Sequence, residues 1–210
     1  TARVSGTDRA LPANSVSVII PARNAAATIA RTLRSLAPDA GLIGEVILVD
    51  DGSTDQTIAI ATSTSKAFEL PIRLVSAQAG SAGAARNLGL ETASGDFVYF
   101  VDSDDEPMPG CLHRLVDALA NQPDCGIAIG ANIRRTAGRI DKTKSPAGFT
   151  SDLVKNAESY LRNRILPIAM GSALVRRSAV GPARFPEKAG LDEDTIFWAA
   201  VLTQAVPATV

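Results

Sequence analysis

The chain has little of what builds a cross-linked or histidine-centred protein. Its two cysteines, Cys111 and Cys125, form no disulfide framework, and no CxxC or histidine-rich pattern exists to hold zinc. The single histidine, His113, falls in a helical pattern among polar residues and is expected at the surface. A net charge of −1 supplies neither the basic footprint of a nucleic-acid binder nor a polybasic membrane anchor. No apolar run reaches the ~18 residues of a membrane span. The longest, ILPIAMGSALV at 165–175, is interrupted by Pro167 and Gly171. No signal peptide opens the chain, so the expected location is the cytoplasm, or the inner face of a membrane. The first residue is not Met and the chain stops at AVPATV, soon after a helical pattern. A C-terminal truncation is therefore expected, and a peripheral membrane contact would lie in the missing tail.

What is present is an alternation. With 210 residues, 46% of them hydrophobic and 20% charged, one large domain with a sizeable core is expected. Residues 1–14 are polar and read as a tail. VSVII (16–20) is a short β-branched run, followed by Ile29, Leu33 and Leu36 at helical spacing. VILV (46–49) is a second strand; its helix starts at STDQ, where Ser53 and Gln56 have capping-box spacing. IRLV (72–75) precedes a glycine-punctuated helix at 82–92. FVYFV (97–101) precedes a helix opened by Pro109, with Leu112, Leu115, Val116 and Leu119 on one face. Four strand–helix units with continuous apolar strands predict an α/β domain: a mainly parallel central sheet covered by helices on both faces. From 127 onward GIAIGANI and SALVRR read as strands, separated by a polar loop (134–150) and a helix near 152–164. GLDEDTIFWAAVL reads as a loop entering a last helix.

The polar residues collect at strand ends. FVYFVDSDDEP runs an apolar strand into four acids within five positions, Asp102 to Glu106. Carboxylates about 4 Å apart repel by roughly 1 kcal/mol in water and about 4 kcal/mol at a protein surface, so a bound cation would relieve the crowding. PARN follows the first strand and DDGSTD the second. DDGSTD alone is an ordinary turn and helix cap. All three at one edge of a parallel sheet, beyond the carboxyl ends of its strands, mark a ligand crevice.

VSVIIPARN, VILVDDGSTDQT, GSAGAARNLGLETASGDFVYFVDSDD and GLDEDTIFW together resemble the GT-A-fold, family 2 type of nucleotide-sugar glycosyltransferase. The match is dense over 16–118 and returns near 171–198, implying a donor half (15–120) and an acceptor half (121–210) of one Rossmann-like domain. The resemblance identifies Asp102-Ser103-Asp104 as the DxD motif, with Asp102 on the ribose side. Asp104 would ligate the Mn²⁺ or Mg²⁺ that bridges the diphosphate, ions suited to hard oxygen ligands. Asp105 and Glu106 stand beside it as outer support or as solvated charges. Asp51 corresponds to an Asp that accepts from the base's ring N–H, favouring uracil or thymine; Asp50 is expected to be structural. Pro21, Ala22, Arg23 and Asn24 would wrap the base and ribose, although the family usually has an aromatic residue where Arg23 stands. Arg86 matches an arginine near the nucleotide, and Gly80 and Gly83 would let backbone approach the ligand.

An acceptor hydroxyl needs a base, and in the resembled family this is the Asp of an ED pair opening a helix. Glu193-Asp194 fits, which makes Asp194 the candidate, with Asp192 close enough in sequence to compete. Phe197 and Trp198 are expected in the core. The implied function is metal-dependent, inverting transfer of a sugar from a nucleoside-diphosphate sugar to a hydroxyl of a saccharide, a lipid-linked molecule or a small molecule. Two alternatives stand beside it. A sugar-nucleotide pyrophosphorylase would want a glycine-rich, basic N-terminal loop where this chain has PARNAAAT. A non-catalytic nucleotide-sugar-binding domain would not need intact DxD and ED signals.

Overall fold

The computed structural model describes residues 3–5, 11–136, 139–142, 147–162, 168–187 and 193–210. Strands β1 (Arg3–Ser5), β2 (Val16–Ala22), β3 (Ile43–Asp51), β4 (Ile72–Ala77), β5 (Phe97–Phe100) and β6 (Cys125–Ile129) join β9 (Ala173–Arg176) and β10 (Val206–Thr209) in one eight-stranded sheet of order β1-β4-β3-β2-β5-β9-β6-β10. The β4-β3-β2-β5 stretch is parallel throughout, and β6 and β10 are parallel to each other. Strand β9 runs antiparallel between β5 and β6, which reverses the polarity where the second half of the chain begins.

Both faces of the central strands are apolar, so each strand feeds two cores. Val18 and Ile20 of β2 join Leu33 of α1 (Ile29–Leu36), Ala61 of α2 (Thr57–Ala67) and Leu112 and Leu115 of α4 (Cys111–Asn121). On the other face Ile19 joins Leu90 of α3 (Ala82–Thr92), Tyr160 of α5 (Leu153–Leu161), Val180 of α6 (Arg177–Val180) and Phe197 of α7 (Glu193–Leu202). Each buried Leu, Ile or Phe contributes roughly 1.5–3 kcal/mol relative to exposure. This two-sided burial is why the strands read as unbroken apolar runs rather than alternations.

Several local expectations need correction. Arg3–Ser5, read as tail, pairs antiparallel with β4. AVPATV supplies a strand: β10 tolerates Pro207 because it lies at the sheet edge, with a register shift at Val206/Pro207. The polar 134–150 stretch, read as a loop, begins within a two-stranded hairpin of β7 (Ile133–Thr136) and β8 (Arg139–Lys142). The Ser53/Gln56 capping box does not form, because Gln56 at the start of α2 makes no side-chain cap. Asp55 accepts from Thr57 N instead, at 3.0 Å. Helix α4 begins two residues after Pro109, with Gly110 left-handed before it. The buried Asp39 caps it from a separate 3₁₀ turn, accepting from Gly110 N at 3.1 Å and His113 N at 3.4 Å. His113 is therefore half-exposed but not a bystander, since its Nδ1 lies 2.5 Å from Asp39 Oδ1.

Candidate active site

The chain steps from β2 to β3 and β4 on one side, then returns to place β5 on the other. The carboxyl ends of β2 and β5 thus flank a topological switch point, where open α/β sheets form their ligand crevice. Pro21 and Ala22 finish β2 inside the sheet, paired with Val49 and Asp50, and their side chains are buried. They shape the floor, and anything they offer a ligand is backbone. Asn24 follows in the left-handed region at φ 51, which Asn tolerates better than most residues. Its side-chain oxygen accepts from Thr54 N at 2.9 Å, and its own N–H donates to Ser53 Oγ at 2.9 Å. Ala25 N donates to the buried Thr57 Oγ1 at 2.7 Å and Ala26 N to Asp55 Oδ2 at 3.0 Å. The DDGSTDQT segment therefore braces the loop after β2 as well as turning its own chain. Asp50 closes that turn, accepting from Ser53 N at 3.3 Å.

Asp51, 9% exposed, ends β3 and faces the loop after β4. Its Oδ1 accepts from Ala79 N at 2.5 Å and from Gly80 N at 3.0 Å. Gly80 has φ +79 with nothing near the position a Cβ would take. The backbone donors fix the carboxylate's orientation. Arg23 stands on its open side, Nη1 3.9 Å from Oδ2 and 65% exposed. Together with Gly52 and Gln78 these residues line a cleft of about 320 Å³. Gln78 carried no signal in the sequence beyond its place after a strand.

The third strand end is where charge concentrates. Asp102 follows β5 and lies 2.6 Å from Arg86 Nη2. The other terminal nitrogen, Nη1, reaches Glu193 Oε1 at 3.0 Å and Asp194 Oδ1 at 3.2 Å. One guanidinium, 5% exposed, thus holds the first acid of the DxD and both acids of the ED pair. Arg86 is not a surface helix residue but the hub of the site. Ser103 is tethered through its carbonyl, which accepts from Thr32 Oγ1 of α1 at 3.0 Å. Glu106 pairs with Arg31 at 3.5 Å across solvent. Asp104 is exposed and makes no ion pair among the described residues. Asp192, the competing base, lies outside the described residues.

Arg86 is held from below. Its guanidinium carbon lies 5.3 Å from the centre of the Phe185 ring. Asn87 and Phe185 exchange two hydrogen bonds, Asn87 Nδ2 to Phe185 O and Phe185 N to Asn87 Oδ1, both 2.9 Å. Gly83 lets the segment come this near, since a Cβ there would stand 2.9 Å from Pro186 O and 3.1 Å from Phe185 Cβ. Its close approach therefore serves the 185–186 backbone rather than a ligand. Phe185 stacks on Phe197 at 3.9 Å, with Phe100 and Trp198 completing an aromatic cluster under the acids. Phe197 and Trp198 are core residues, fully buried. Asn87 and Phe185 are residues that sequence reading missed; Asn87 was in view within AARN, while nothing local marked Phe185.

The electrostatics follow from three carboxylates facing one guanidinium. Burial would lower the pKa of Arg86, but Asp102, Asp194 and Glu193 outweigh it and raise it further. Asp194 is pushed up from the usual carboxylate range by partial burial and by the charges of Asp102 and Glu193, with Arg86 pulling the other way. Asp105 is pushed up to about 6 by desolvation of its carboxyl, then by Asp102 and Asp104. Gly171, at φ +75, borders it: a Cβ there would make only ordinary contact, 3.9 Å from Asp105 Oδ2. No group of three or more His, Cys, Asp or Glu side chains forms a closed metal centre among the described residues. The donors that remain, Asp104 with its crowded neighbours, fit an ion that takes one or two carboxylates and fills its other positions with phosphate and water. That is the habit of Mg²⁺, and Mn²⁺ shares its oxygen ligands.

Comparison with known proteins places this geometry. A family model described as Glycosyl transferase family 2 matches residues 17–181, which includes Asp102-Ser103-Asp104 but stops short of Glu193-Asp194. The amylovoran biosynthesis glycosyltransferase AmsB of Erwinia amylovora is 44% identical over 115 residues, covering 52% of this chain and 38% of its own length. The uncharacterized glycosyltransferase YibD of Escherichia coli (strain K12) is 36% identical over 115 residues, covering 55% and 33%. The chain thus spans about a third of the length of these relatives. Among solved structures, Staphylococcus aureus TarS 1–349 in complex with UDP superposes with a TM-score of 0.75 at 25% identity, over 93% of this chain and 57% of that one. Glucosyl-3-phosphoglycerate synthase of Mycobacterium tuberculosis, with Mg²⁺ and UDP, gives a TM-score of 0.65 at 25% identity, over 94% and 69%. The family model covers well over half of the chain, from β2 through β9: the chain belongs to glycosyl transferase family 2.

Proposed function

We propose that this protein transfers a sugar from a nucleoside-diphosphate sugar, uridine- or thymidine-linked, to an acceptor hydroxyl, with inversion at the anomeric carbon. The observation that carries this reading is the convergence of Asp102 and Asp194 on opposite nitrogens of Arg86. It puts a donor motif and a base candidate beside one another at the switch point, from opposite halves of the chain. The UDP bound by the superposable TarS structure supports the choice of donor.

In this reading the base lies in the cleft of Arg23, Asp51 and Gln78, where the fixed Asp51 carboxylate accepts a ring N–H. Uracil and thymine carry that donor at N3, whereas cytosine does not. The ribose faces Asp102, and the diphosphate crosses the Ser103–Asp104 turn, with Asp104 as the protein ligand of a divalent ion. When bound, Mn²⁺ or Mg²⁺ supplies Lewis-acid stabilisation of the departing diphosphate. Asp194 takes the proton of the acceptor hydroxyl as its oxygen attacks the anomeric carbon from the face opposite the diphosphate. The bond from that carbon to the diphosphate oxygen breaks, and the nucleoside diphosphate leaves with the electron pair. A raised pKa suits Asp194 to this task, since a stronger base accepts the proton more readily.

Calorimetric titration with UDP, ADP and GDP, with Mn²⁺ or with EDTA, tests the donor half of the proposal. Metal-dependent binding that prefers UDP is expected. Equal affinity for all three nucleotides, unaffected by EDTA, would overturn it.

A further inference from the structure

The geometry points to Arg86 as a positioning residue: a tie that holds Asp194 at a fixed spacing from the donor motif, rather than a donor ligand. The inference rests on the transfer reading above and assigns the arginine a role within it. Three observations carry it. The guanidinium is divided, with Nη2 given to Asp102 and Nη1 to Glu193 and Asp194, so a single planar group sets the distance between the two halves. It is also only 5% exposed, and among the described residues every polar contact of its terminal nitrogens is to a carboxylate. Its support is built independently of the acids: Phe185 lies under the plane, and Asn87, the next residue, clamps the Phe185 backbone from both sides.

The chemistry of the two basic side chains makes the idea separable. Arginine presents several donors in a rigid fork, whereas lysine is a point charge on a flexible stem. Arg86→Lys keeps the positive charge but cannot hold Asp102 and Asp194 from two fixed nitrogens. A misplacement of about 1 Å at a reacting group can cost 10²-fold in rate. A donor ligand would instead lose nucleotide affinity, and a residue of purely structural value would lose stability without singling out Asp194.

The test compares wild type, Arg86→Lys, Asp194→Asn and the double variant, reading UDP affinity with Mn²⁺ by calorimetry and UDP release from UDP-N-acetylglucosamine or UDP-glucose with water as acceptor. The expected result is a fall of about 10²-fold in kcat for Arg86→Lys, with UDP affinity kept within about threefold. In the Asp194→Asn background the same change should cost less than about threefold, because the residue it acts through is gone. Additive losses in kcat, or a tenfold loss of UDP affinity with kcat retained, would overturn the positioning role while leaving the transferase reading intact. Wild-type protein that binds UDP but turns over neither donor would remove the transfer reading, and this inference with it.

Discussion

The loops after β2 and β3 and the acid cluster after β5 lie at the same edge of one sheet but are held by different physics. The first pair is stitched by short hydrogen bonds between neighbouring loops: Asn24 to Thr54, Ala25 to Thr57, Ala26 to Asp55. Most of these bonds end on a backbone group, so the geometry is set before any ligand arrives. The cluster after β5 is held by ion pairs between side chains more than a hundred residues apart in sequence, Arg86 with Glu193 and Asp194. Its excess negative charge is left standing. A rigid hydrogen-bonded frame suits recognition of a base, whereas an electrostatically unfinished corner suits a site completed by a cation and a phosphate. The comparison is sharpest where one end can be damaged without the other.

The largest effect is expected at Asp194. A general base contributes about 10²–10⁴-fold, or roughly 3–5 kcal/mol of barrier. Asp194→Asn should lower single-turnover transfer by about that factor while UDP affinity with Mn²⁺ changes little. A near-native rate would move the base elsewhere, with Asp192 or Glu193 next in line. Asp104→Asn comes second and acts on the other function of the same corner. It should abolish the Mn²⁺-dependent part of UDP binding, measured by calorimetry. Metal-free stability should hold or rise, because one of the carboxylates crowding Asp105 is gone. Lost metal-free stability with retained Mn²⁺ dependence would make Asp104 a structural cap.

This division also decides what could be read from sequence. The parallel core was legible because β2, β3 and β5 are buried on both faces and so spell continuous apolar runs. PARN, DDGSTD and DSDDE were legible as strand ends because the turn residues and the acids sit next to the strands they finish. Edge elements were not. Strand β10 contains a proline, and β1 is three residues long; their pairing is decided by a partner far along the chain. The centrality of Arg86 was hidden for the same reason: AARN marks an arginine, but its burial depends on Phe185 and on a helix that begins at Glu193. His113 read as a bland surface residue because Asp39, its partner, lies 74 positions away. Local chemistry is written locally, and ion pairs across the fold are not.

A smaller effect is expected in the hydrogen-bonded frame. Thr57 is fully buried, and its hydroxyl accepts from the buried Ala25 N–H. Thr57→Val keeps the shape and removes the acceptor, leaving that N–H unsatisfied at a cost of about 1–3 kcal/mol. For a chain of this size each kcal/mol corresponds to roughly 2–4 °C in Tm. If this end is the base site, UDP affinity should fall along with stability, whereas the Mn²⁺ requirement should persist. An unchanged Tm would mean that the brace relaxes to find water.

The smallest effect separates the two ends by pH. Asp105 has a folded pKa of about 6 against an ordinary 3.8, so the folded protein binds its proton more tightly than the unfolded chain does. Its contribution to stability is therefore fully present below about 3.8 and is lost as pH rises through about 6. Asp194 shifts in the same direction. Glu45 and Asp55, on the hydrogen-bonded side of the molecule, go the other way. Burial of Glu45 is outweighed by bonds from Ser17, Ser94 and Arg73, and Asp55 is lowered first by Thr57. Their contributions are present above the ordinary values of 4.5 and 3.8 and are lost as pH falls. Between about pH 4.5 and 7 the acid corner should therefore set the slope, with stability falling as pH rises. Asp105→Asn removes the Asp105 share of that slope without touching Glu45 or Asp55. Because Asp105 is an exposed residue whose carboxyl is only partly desolvated, screening limits its share to about 1 kcal/mol or less, roughly 2–4 °C or less in Tm. Thermal melts of both proteins in EDTA should show the variant ahead at pH 7 and the gap closing toward pH 4.5. A gap that is constant with pH, or a variant less stable at pH 7, would mean that the ionised carboxylate is not disfavoured there. The corner would then be finished without a cation.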